Sequence, residues 1–504
     1  MKKSPVLRFL DVVERAGNAL PDPLTMFLLA AAAVVAASAI LAGFGTSVVH
    51  PGTGQAVSVV NLLAPDQLQR MFTEAVKNFT NFPPLGLVLV TMIGTAVAER
   101  GGLITAVLRT TVHSVPKPLL TAALVFTGVN SSIVADAGYI VLIPLGAVIF
   151  AAVGRHPLAG LSATFAGVAG GFSANLSITS LDPLLGGLTQ TAAQLVEPTY
   201  TVSAAANWYF MIFSTFLLTV IGTFICDRIV EPRLGEWKSS SSLESNDVAQ
   251  RLSPLERRGL LWAGFVFVLC IVGVLAVSLP EHAILRDAQG TLKPLEQSIV
   301  TILMIIFLVC GLVYGIVTRS IRSDRDVAAI TGDGMATMGS YIVLAFVMAQ
   351  FISYFGWSNL GLVTAVNGAE LLKSLHLQGP FLLGTFVLVA AVINLLVASA
   401  SAKWAIMAPV FVPMFMMMGL SPEATQLAYR VGDSSTNMIA PLLGYLPLII
   451  VAVRRYKGDA TMGTLLSLML PYSVAFLIVW TIVLIAWIYV GLPLGPGVAA
   501  QIGG

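Results

Sequence analysis

GVAGGFSAN at residues 167–175 and GDSSTN at residues 432–437 are two interruptions rich in small residues, each ending in asparagine, within otherwise apolar stretches. The residues around the two interruptions have the same spacing. Four Pro and Gly positions of the first half recur 265 residues later in the second half. The four pairs are Pro144 and Pro409, Gly154 and Gly419, Pro157 and Pro422, and Gly167 and Gly432. Proline and glycine are frequent in membrane helices, but four coincident spacings indicate an internal repeat. Repeated membrane segments that are broken by Gly, Ser and Asn are typical of the binding site of a secondary transporter.

The composition indicates an integral membrane protein. The chain is 57% hydrophobic and 10% charged, whereas soluble domains carry roughly 25% charged residues. Its formal net charge of +2 gives no reason to expect a nucleic acid partner. The three cysteines lie in apolar runs and the five histidines in predicted loops or at segment ends. This pattern predicts neither a disulfide framework nor a histidine-bound metal centre.

Seven apolar runs predict transmembrane helices, since a bilayer core requires about 20 residues of helix. They lie near 24–44, 84–98, 205–227, 258–279, 296–317, 336–355 and 462–491. The segment 45–82 is predicted to be external, with a short amphipathic helix around 65–79.

Two further apolar runs, at 118–153 and 379–419, are too long for single helices and have polar centres. The centres are GVNSSIVADAG at 128–138 and NLLVASASAKW at 394–404. A helix, a polar tip and a second helix predict a re-entrant hairpin, whose tip is tolerated at membrane depth only within protein or beside water. Each hairpin precedes a predicted broken helix, at 157–190 and at 422–453.

The distribution of basic residues supports hairpins that do not cross the bilayer. With the N-terminus in the cytoplasm, 20 of the 27 Lys and Arg residues fall on the cytoplasmic side, five fall outside and two lie in the membrane. The sequence therefore predicts an all-α integral membrane protein of about nine transmembrane helices and two re-entrant helical hairpins in an inverted-topology repeat. The C-terminus is predicted to be periplasmic. The predicted divisions are a first half at 1–228, a Ser-rich cytoplasmic linker at 229–257 and a second half at 258–504.

Charged residues within the membrane segments mark candidate pathway residues, because such charges are costly. They cluster at the hairpin tips and helix breaks: Asp136, Asp182, Lys403, Arg430 and Asp433. Ion pairs that fix helix packing are the alternative interpretation.

Small oxygen-bearing side chains at the same places are candidate ligands of a Na⁺ ion. The candidates are Asn130, Asn175, Asn394, Asp433 and Asn437. These side chains could equally satisfy the backbone groups that a broken helix leaves free. No other cofactor is predicted.

Trp404 beside the second tip could stack on an aromatic ligand or on Arg430, or pack in the core. Pro422 begins the second broken helix, where proline is favoured.

The motif segments resemble the AbgT family, the p-aminobenzoyl-glutamate transporters. The resemblance covers essentially the whole chain and rests on four segments: GVNSSIVADAGYIVLIPLGA, GGFSANLSITSLDPLL, NLLVASASAKWAIMAPVFVPMFM and SPEATQLAYRVGDSSTNMIAPLLGY. It implies a homodimer in a bacterial inner membrane, with an inner transport core and an outer scaffold. It also implies uptake of p-aminobenzoyl-glutamate or export of sulfonamide antimetabolites, driven by the proton motive force.

The same resemblance implies functional roles for Asp182, Trp404, Pro422 and Arg430. In this interpretation Trp404 faces the ring of the substrate, while Arg430, with Lys403, binds its carboxylates. Asp182 is predicted to carry the coupling proton, since burial favours the neutral carboxyl.

Other classes of function fit the sequence less well. A membrane-embedded enzyme would need a metal or nucleophile motif, and no HExxH, GxSxG or P-loop sequence is present. A channel is disfavoured by the inverted repeat and by the absence of a filter-like motif. Na⁺-coupled carboxylate uptake is the main alternative within the transporter class.

Overall fold

A computed structural model describes the greater part of the chain. The described residues are 21–49, 54–113, 116–134, 138–237, 252–280, 282–288, 290, 292–374, 379–397 and 399–502. Asp136, one of the predicted pathway residues, lies outside them.

The described chain is almost entirely helical, with one two-stranded antiparallel sheet of β1 and β2. The first half contains α1 (Pro23–Gly43), β1 (Ser47–Val49), β2 (Ala56–Ser58), α2 (Pro65–Thr80), α3 (Pro83–Arg100), α4 (Leu103–His113), α5 (Leu120–Asn130), α6 (Ile143–Ala152), α7 (Pro157–Phe165), α8 (Leu181–Ala193), α9 (Trp208–Ile225) and α10 (Glu231–Leu234). The second half contains α11 (Pro254–Ala276), α12 (Lys293–Thr318), α13 (Asp324–Ala336), α14 (Gly339–Trp357), α15 (Leu360–Ser374), α16 (Gly379–Leu396), α17 (Ala400–Met416), α18 (Pro422–Asn437), α19 (Leu446–Arg454) and α20 (Met462–Val490).

Among the described residues, eight helical segments are long and apolar enough to cross a membrane. Seven of them overlap the seven runs predicted from the sequence. The eighth, α16, is the first arm of the second predicted hairpin. With the two broken helices, α7–α8 and α18–α19, the seven segments give the nine predicted crossings. The fold class predicted from the sequence is therefore confirmed.

The first hairpin consists of α5, a 3₁₀ turn at Ser131–Val134, a π turn at Gly138–Leu142, and α6. Its two ends lie together, because Arg155 Nη1 donates a hydrogen bond of 2.8 Å to Thr121 Oγ1. Arg155 also forms ion pairs with Glu231 and, at 2.6 Å, with Asp227. A chain that enters and leaves at one end of the molecule is a re-entrant hairpin. We call this the cytoplasmic end, following the distribution of basic residues.

The opposite end, called the external end here, contains the start of α18 and the C-terminal segment. Ser421 N donates to Ala500 O at 3.0 Å, and Tyr209 N at the start of α9 donates to Leu494 O at the same distance. The second hairpin, α16 and α17, adjoins this end because α17 leads within a few residues to Ser421. The two hairpins therefore belong to opposite ends, as an inverted repeat requires.

Paired glycines show the repeat in three dimensions. Gly154 and Gly419 both have φ of +81°, so each hairpin leads into its broken helix through the same left-handed turn. Gly167 and Gly432 lie against the first arm of their own hairpin. A Cβ at Gly167 would lie 2.5 Å from Val125 O, and one at Gly432 would overlap Val387 O. These contacts hold each broken helix against its hairpin.

Three helices of the structure have no counterpart in the predicted crossings: α4, α13 and α15. Each is shorter than a bilayer core requires. The predicted amphipathic helix outside the membrane is α2, none of whose residues is buried.

Candidate functional site

The two broken helices meet close to their interruptions. In the first repeat a π turn at Ala166–Gly170 follows α7, and regular helix resumes only with α8. In the second repeat α18 ends at Asn437 and α19 begins at Leu446. Ser173 N donates to Ser434 Oγ at 3.1 Å, which joins the two repeats directly. Residues 432–437, predicted from the sequence as the second break, are instead regular helix at the end of α18, and the break follows at 438–445. The contact therefore joins the first interruption to the last turns of α18.

A buried ion pair between Arg430 and Asp182 crosses the repeat interface. Arg430 Nη1 lies 2.6 Å from Asp182 Oδ1, although the two residues are 248 positions apart. Arg430 Nη2 also donates to Ser173 O at 3.0 Å. The other carboxylate oxygen of Asp182 accepts from Thr179 N at 2.6 Å and from Thr179 Oγ1 at 2.8 Å. Asp182 therefore has one ion-pair contact and two hydrogen bonds, which involve both of its carboxylate oxygens.

Arg430 retains one unused donor. Its Nε has no hydrogen-bond partner among the described residues, although the side chain is buried. An unsatisfied buried donor costs free energy, so this N–H is a ready site for an added acceptor. A guanidinium binds a carboxylate through two parallel N–H donors. The guanidinium of Arg430 could therefore bind a second carboxylate, either beside Asp182 or in its place.

A second buried pair joins the tip of the second hairpin to α18. Lys403 Nζ lies 2.5 Å from Asp433 Oδ1 and also contacts Asn394 Oδ1. Asn394 Nδ2 in turn donates to Asp433 O at 2.7 Å, to Thr436 Oγ1 at 2.9 Å and to Asn437 Oδ1 at 3.0 Å. Asp433 Oδ2 is buried and has no partner among the described residues.

The predicted Na⁺ ligands already have other partners in this arrangement. The ammonium group of Lys403 occupies the place beside Asn394 Oδ1 and Asp433 Oδ1 where a cation would bind. In the first repeat, Asn130 Oδ1 accepts from Leu176 N at 3.1 Å, and the Asn175 amide bonds with the Ser132 hydroxyl. The oxygen atoms thus satisfy freed backbone groups and a lysine. As these side chains lie, they do not fit a Na⁺ ion.

Trp404 lies on α17 of the second hairpin and packs inside the protein, at the interface between the two repeats. It is fully buried, and its ring stacks on Tyr429 with centroids 4.6 Å apart and planes at 25°. Its Nε1 donates to Thr189 Oγ1 at 2.9 Å, and that hydroxyl lies 2.7 Å from Gln426 Oε1. Stacking on Arg430, one of the possibilities considered from the sequence, is not what the structure shows. Trp404 instead links the second hairpin to α8 of the first repeat.

Pro422 has a structural place at the start of α18. It is buried at the first turn of the helix, directly after the N-cap residue Ser421. Ser421 Oγ accepts from Ala424 N at 3.2 Å, which caps the helix. The proline fixes the backbone there, consistent with its preference for the first helical position.

Several buried polar residues at the repeat interface were not predicted from the sequence, among them Thr179, Thr189, Gln426 and Glu423. Gln426 and Glu423 lie four and seven residues before Arg430 on the same helix. This helical spacing was the signal that could have identified them, because residues i, i+3 and i+7 share one face. All of the residues of α18 are buried, so a polar face on it must contact protein or ligand.

An all-helical membrane protein with inverted repeats, whose breaks meet around buried charges, belongs to the class of secondary transporters. The comparisons with known proteins agree. A model of the AbgT putative transporter family matches residues 8–502. The chain belongs to this family, whose members are transporters and not enzymes.

Three relatives extend over nearly the whole chain. The p-aminobenzoyl-glutamate transport protein of Escherichia coli K12 is 40% identical over 490 residues, which are 96% of each chain. The crystal structure of the YdaH transporter of Alcanivorax borkumensis aligns with a TM-score of 0.90 and 41% identity, covering 94% of this chain and 100% of that one. The structure of MtrF of Neisseria gonorrhoeae, which represents a class of antimetabolite efflux pumps, aligns with a TM-score of 0.93 and 46% identity over 97% of this chain and 100% of that one.

Proposed function

We propose that this protein is a secondary active transporter of p-aminobenzoyl-glutamate, of sulfonamide-type antimetabolites, or of both, driven by the proton motive force. The observation that carries the proposal is the buried Arg430–Asp182 pair between the two repeats, 2.6 Å long. Two relatives support the proposal. The E. coli relative is named a p-aminobenzoyl-glutamate transport protein, and the gonococcal structure represents a class of antimetabolite efflux pumps. Alternating access arises when the core that contains both hairpins moves against the remaining helices.

The site offers complementary groups for an aromatic dicarboxylate. The Nε–H of Arg430 is free to receive a substrate carboxylate, which then competes with Asp182 for the guanidinium. Lys403 supplies a second cation at the hairpin tip. One face of Trp404 is covered by Tyr429, so a substrate ring would bind against the other face or displace Tyr429. A sulfonamide lacks the glutamyl carboxylates and would use the ring contacts alone.

Charge balance explains why protons would accompany a dicarboxylate. Arg430 and Lys403 are each paired with one carboxylate, Asp182 and Asp433, so these four buried groups are neutral as a set. A dianion would add two negative charges to a buried site, where an uncompensated charge is costly. Proton uptake by Asp182 removes one of these charges when the substrate takes its place on Arg430. Asp182 is therefore our proposed proton carrier.

Na⁺ coupling is the alternative that the sequence left open. The oxygen atoms of Asn394 and Asp433 already surround the lysine ammonium. We further propose that the protein is a homodimer in a bacterial inner membrane, with a cytoplasmic N-terminus. The outward face of α11 carries exposed apolar side chains such as Leu261, Phe265 and Val268, which suit either lipid or a second copy.

The experiment is uptake of radiolabelled p-aminobenzoyl-glutamate into liposomes that contain the purified protein. Inward and outward proton gradients are imposed separately, with a sulfonamide tested in parallel. We expect the imposed proton gradient to raise accumulation in one direction and an ionophore that collapses it to abolish the increase. Flux that is indifferent to protons and follows an imposed Na⁺ gradient would overturn the proposal.

A further inference from the structure

Glu423 is a buried carboxyl group near the external end that the transport site as described does not use. It lies in the first turn of α18, and only 4% of its surface is exposed. The hydroxyl of Tyr200 donates a hydrogen bond of 2.9 Å to its Oε2. Among the described residues, no basic side chain forms an ion pair with it. It differs in this respect from Asp182 and Asp433, each of which has a cation within 2.6 Å.

Glu423 is the outermost member of a polar row that leads to the substrate site. Glu423, Gln426 and Arg430 follow each other at helical spacing on α18, and each contacts the first repeat. Their partners are Tyr200, Thr189 and Asp182, at 2.9, 2.7 and 2.6 Å respectively. At 1.5 Å per residue, Glu423 lies about 10 Å along the helix axis from Arg430. The row therefore extends from the external end to the Asp182–Arg430 pair.

The surroundings of Glu423 act in opposite directions on its charge. Burial favours the neutral acid, whereas the hydrogen bonds from its own backbone N–H, the Tyr200 hydroxyl and the Ser421 hydroxyl favour the carboxylate. Exposed Glu197, three residues before Tyr200, acts on the Tyr200 hydroxyl, and Arg430, on the same helix as Glu423, is paired with Asp182. Burial raises the pKa of Tyr200, and the Glu423 carboxylate raises it further, so this hydroxyl remains a donor at physiological pH.

We propose that Glu423 is the proton-exchange group at the external end, which takes up and releases protons between the external water and Asp182. The inference rests on the proposed proton-coupled transport and adds a second titrating residue to it. A carboxyl group held by a neutral hydroxyl, with no cation to fix its charge, can accept and release a proton without breaking an ion pair.

The test compares two transport modes in liposomes that contain the wild-type protein or Glu423→Gln. Glutamine has nearly the same size and can accept the Tyr200 hydrogen bond, but it cannot carry a proton. We expect proton-driven accumulation of p-aminobenzoyl-glutamate to fall at least tenfold. Exchange of labelled for unlabelled substrate, at equal pH on both sides, should stay within about twofold. Glu423→Asp should restore part of the accumulation.

Tyr200→Phe is the matched control, because it removes the hydrogen bond and leaves the carboxyl group. It should retain accumulation and move the pH profile to higher pH, since the carboxylate loses a donor. Unchanged proton-driven accumulation by Glu423→Gln would overturn the inference and leave the proposed function standing. Loss of both modes in Glu423→Gln, with no rescue by Glu423→Asp, would also overturn it, since it would indicate a structural role. A wild-type protein that exchanges substrate but ignores proton gradients would overturn both proposals.

Discussion

At the scale of single residues, the proposed mechanism depends on a guanidinium that exchanges one carboxylate partner for another. Removing one member of a buried ion pair costs about 3–5 kcal/mol, because the other charge is left uncompensated. Arg430 avoids this cost if a substrate carboxylate arrives as Asp182 leaves, and Asp182 avoids it by taking a proton. Substrate binding and proton binding are then linked through one side chain, which lies 2.6 Å from Asp182 and still has a free N–H.

The first prediction concerns recognition by Arg430. We expect Arg430→Gln to weaken binding of p-aminobenzoyl-glutamate about tenfold to a hundredfold, since a charge-assisted hydrogen bond contributes roughly 1.5–3 kcal/mol. Binding of an uncharged sulfonamide should change much less. Calorimetry on the purified protein measures both. The double variant Arg430→Gln with Asp182→Asn is the control, because it leaves no unpaired charge. Equal losses of affinity for both ligands in the double variant would show that Arg430 maintains the structure and does not bind the carboxylate.

The second prediction concerns coupling by Asp182. Asp182→Asn imitates the protonated state and frees Arg430, so we expect substrate binding to be retained. Proton-driven accumulation should be lost, because the side chain can no longer release a proton. Parallel measurements of binding and of accumulation in liposomes separate the two effects. Full proton-driven accumulation by this variant would rule out Asp182 as the carrier and direct attention to Asp433.

The sequence was sufficient to identify Asp182, Lys403, Arg430 and Asp433 as a set, because charges are rare in apolar segments. It could not show which acid pairs with which base, since the Arg430–Asp182 contact joins residues 248 positions apart. Glu423 was missed for a physical reason. An acidic residue directly after a helix-starting proline is usually solvated, and only the packed structure shows that this one is buried.

At the scale of elements, each hairpin and its broken helix form one packed unit. The contact depends on glycine, because the backbones of α16 and α18 approach closely at Gly432. The hairpins and the first break could be predicted because polar clusters interrupt apolar runs. The second break was predicted too early, because the small polar residues 432–437 continue the helix of α18. The short helices α4, α13 and α15 could not, because their length and charge do not distinguish them from loops beside a membrane.

The third prediction concerns this contact. We expect Gly432→Ala to lower stability by about 1–3 kcal/mol, since the added methyl overlaps Val387 O and lies 2.9 Å from Ala390 Cβ. Gly167→Ala should have a similar effect in the first repeat. Gly273→Ala is the control, because a Cβ there meets nothing within 4 Å. Thermal melting in detergent measures all three. An effect of Gly432→Ala no larger than that of Gly273→Ala would contradict the packing described here.

At the scale of the whole molecule, two repeats of opposite orientation share one site. Bonds at the cytoplasmic end join the start and the end of the first hairpin, and bonds at the external end join the start of α18 to the C-terminal segment. The distribution of Lys and Arg residues along the sequence predicts this opposite orientation of the two repeats. The distribution of basic residues also predicts which end faces the cytoplasm.

The fourth prediction tests that orientation. Cysteines replacing Lys117 and Glu236, in a chain whose three native cysteines are changed to alanine, should label with an impermeant reagent only from the cytoplasmic side. A cysteine replacing Lys373 should label only from outside. Lys117 and Glu236 flank the first hairpin, the first broken helix and α9. A re-entrant hairpin leaves two crossings between them, so labelling of these two positions from opposite sides would exclude it.

The most direct test of the account is proton movement caused by the substrate itself. Liposomes that contain the protein and a pH-sensitive dye are held at equal pH on both sides without Na⁺, and p-aminobenzoyl-glutamate is added outside. We predict a change of luminal pH that follows substrate entry and is absent in Asp182→Asn. Entry of labelled substrate with no change of luminal pH in the wild-type protein would contradict the account.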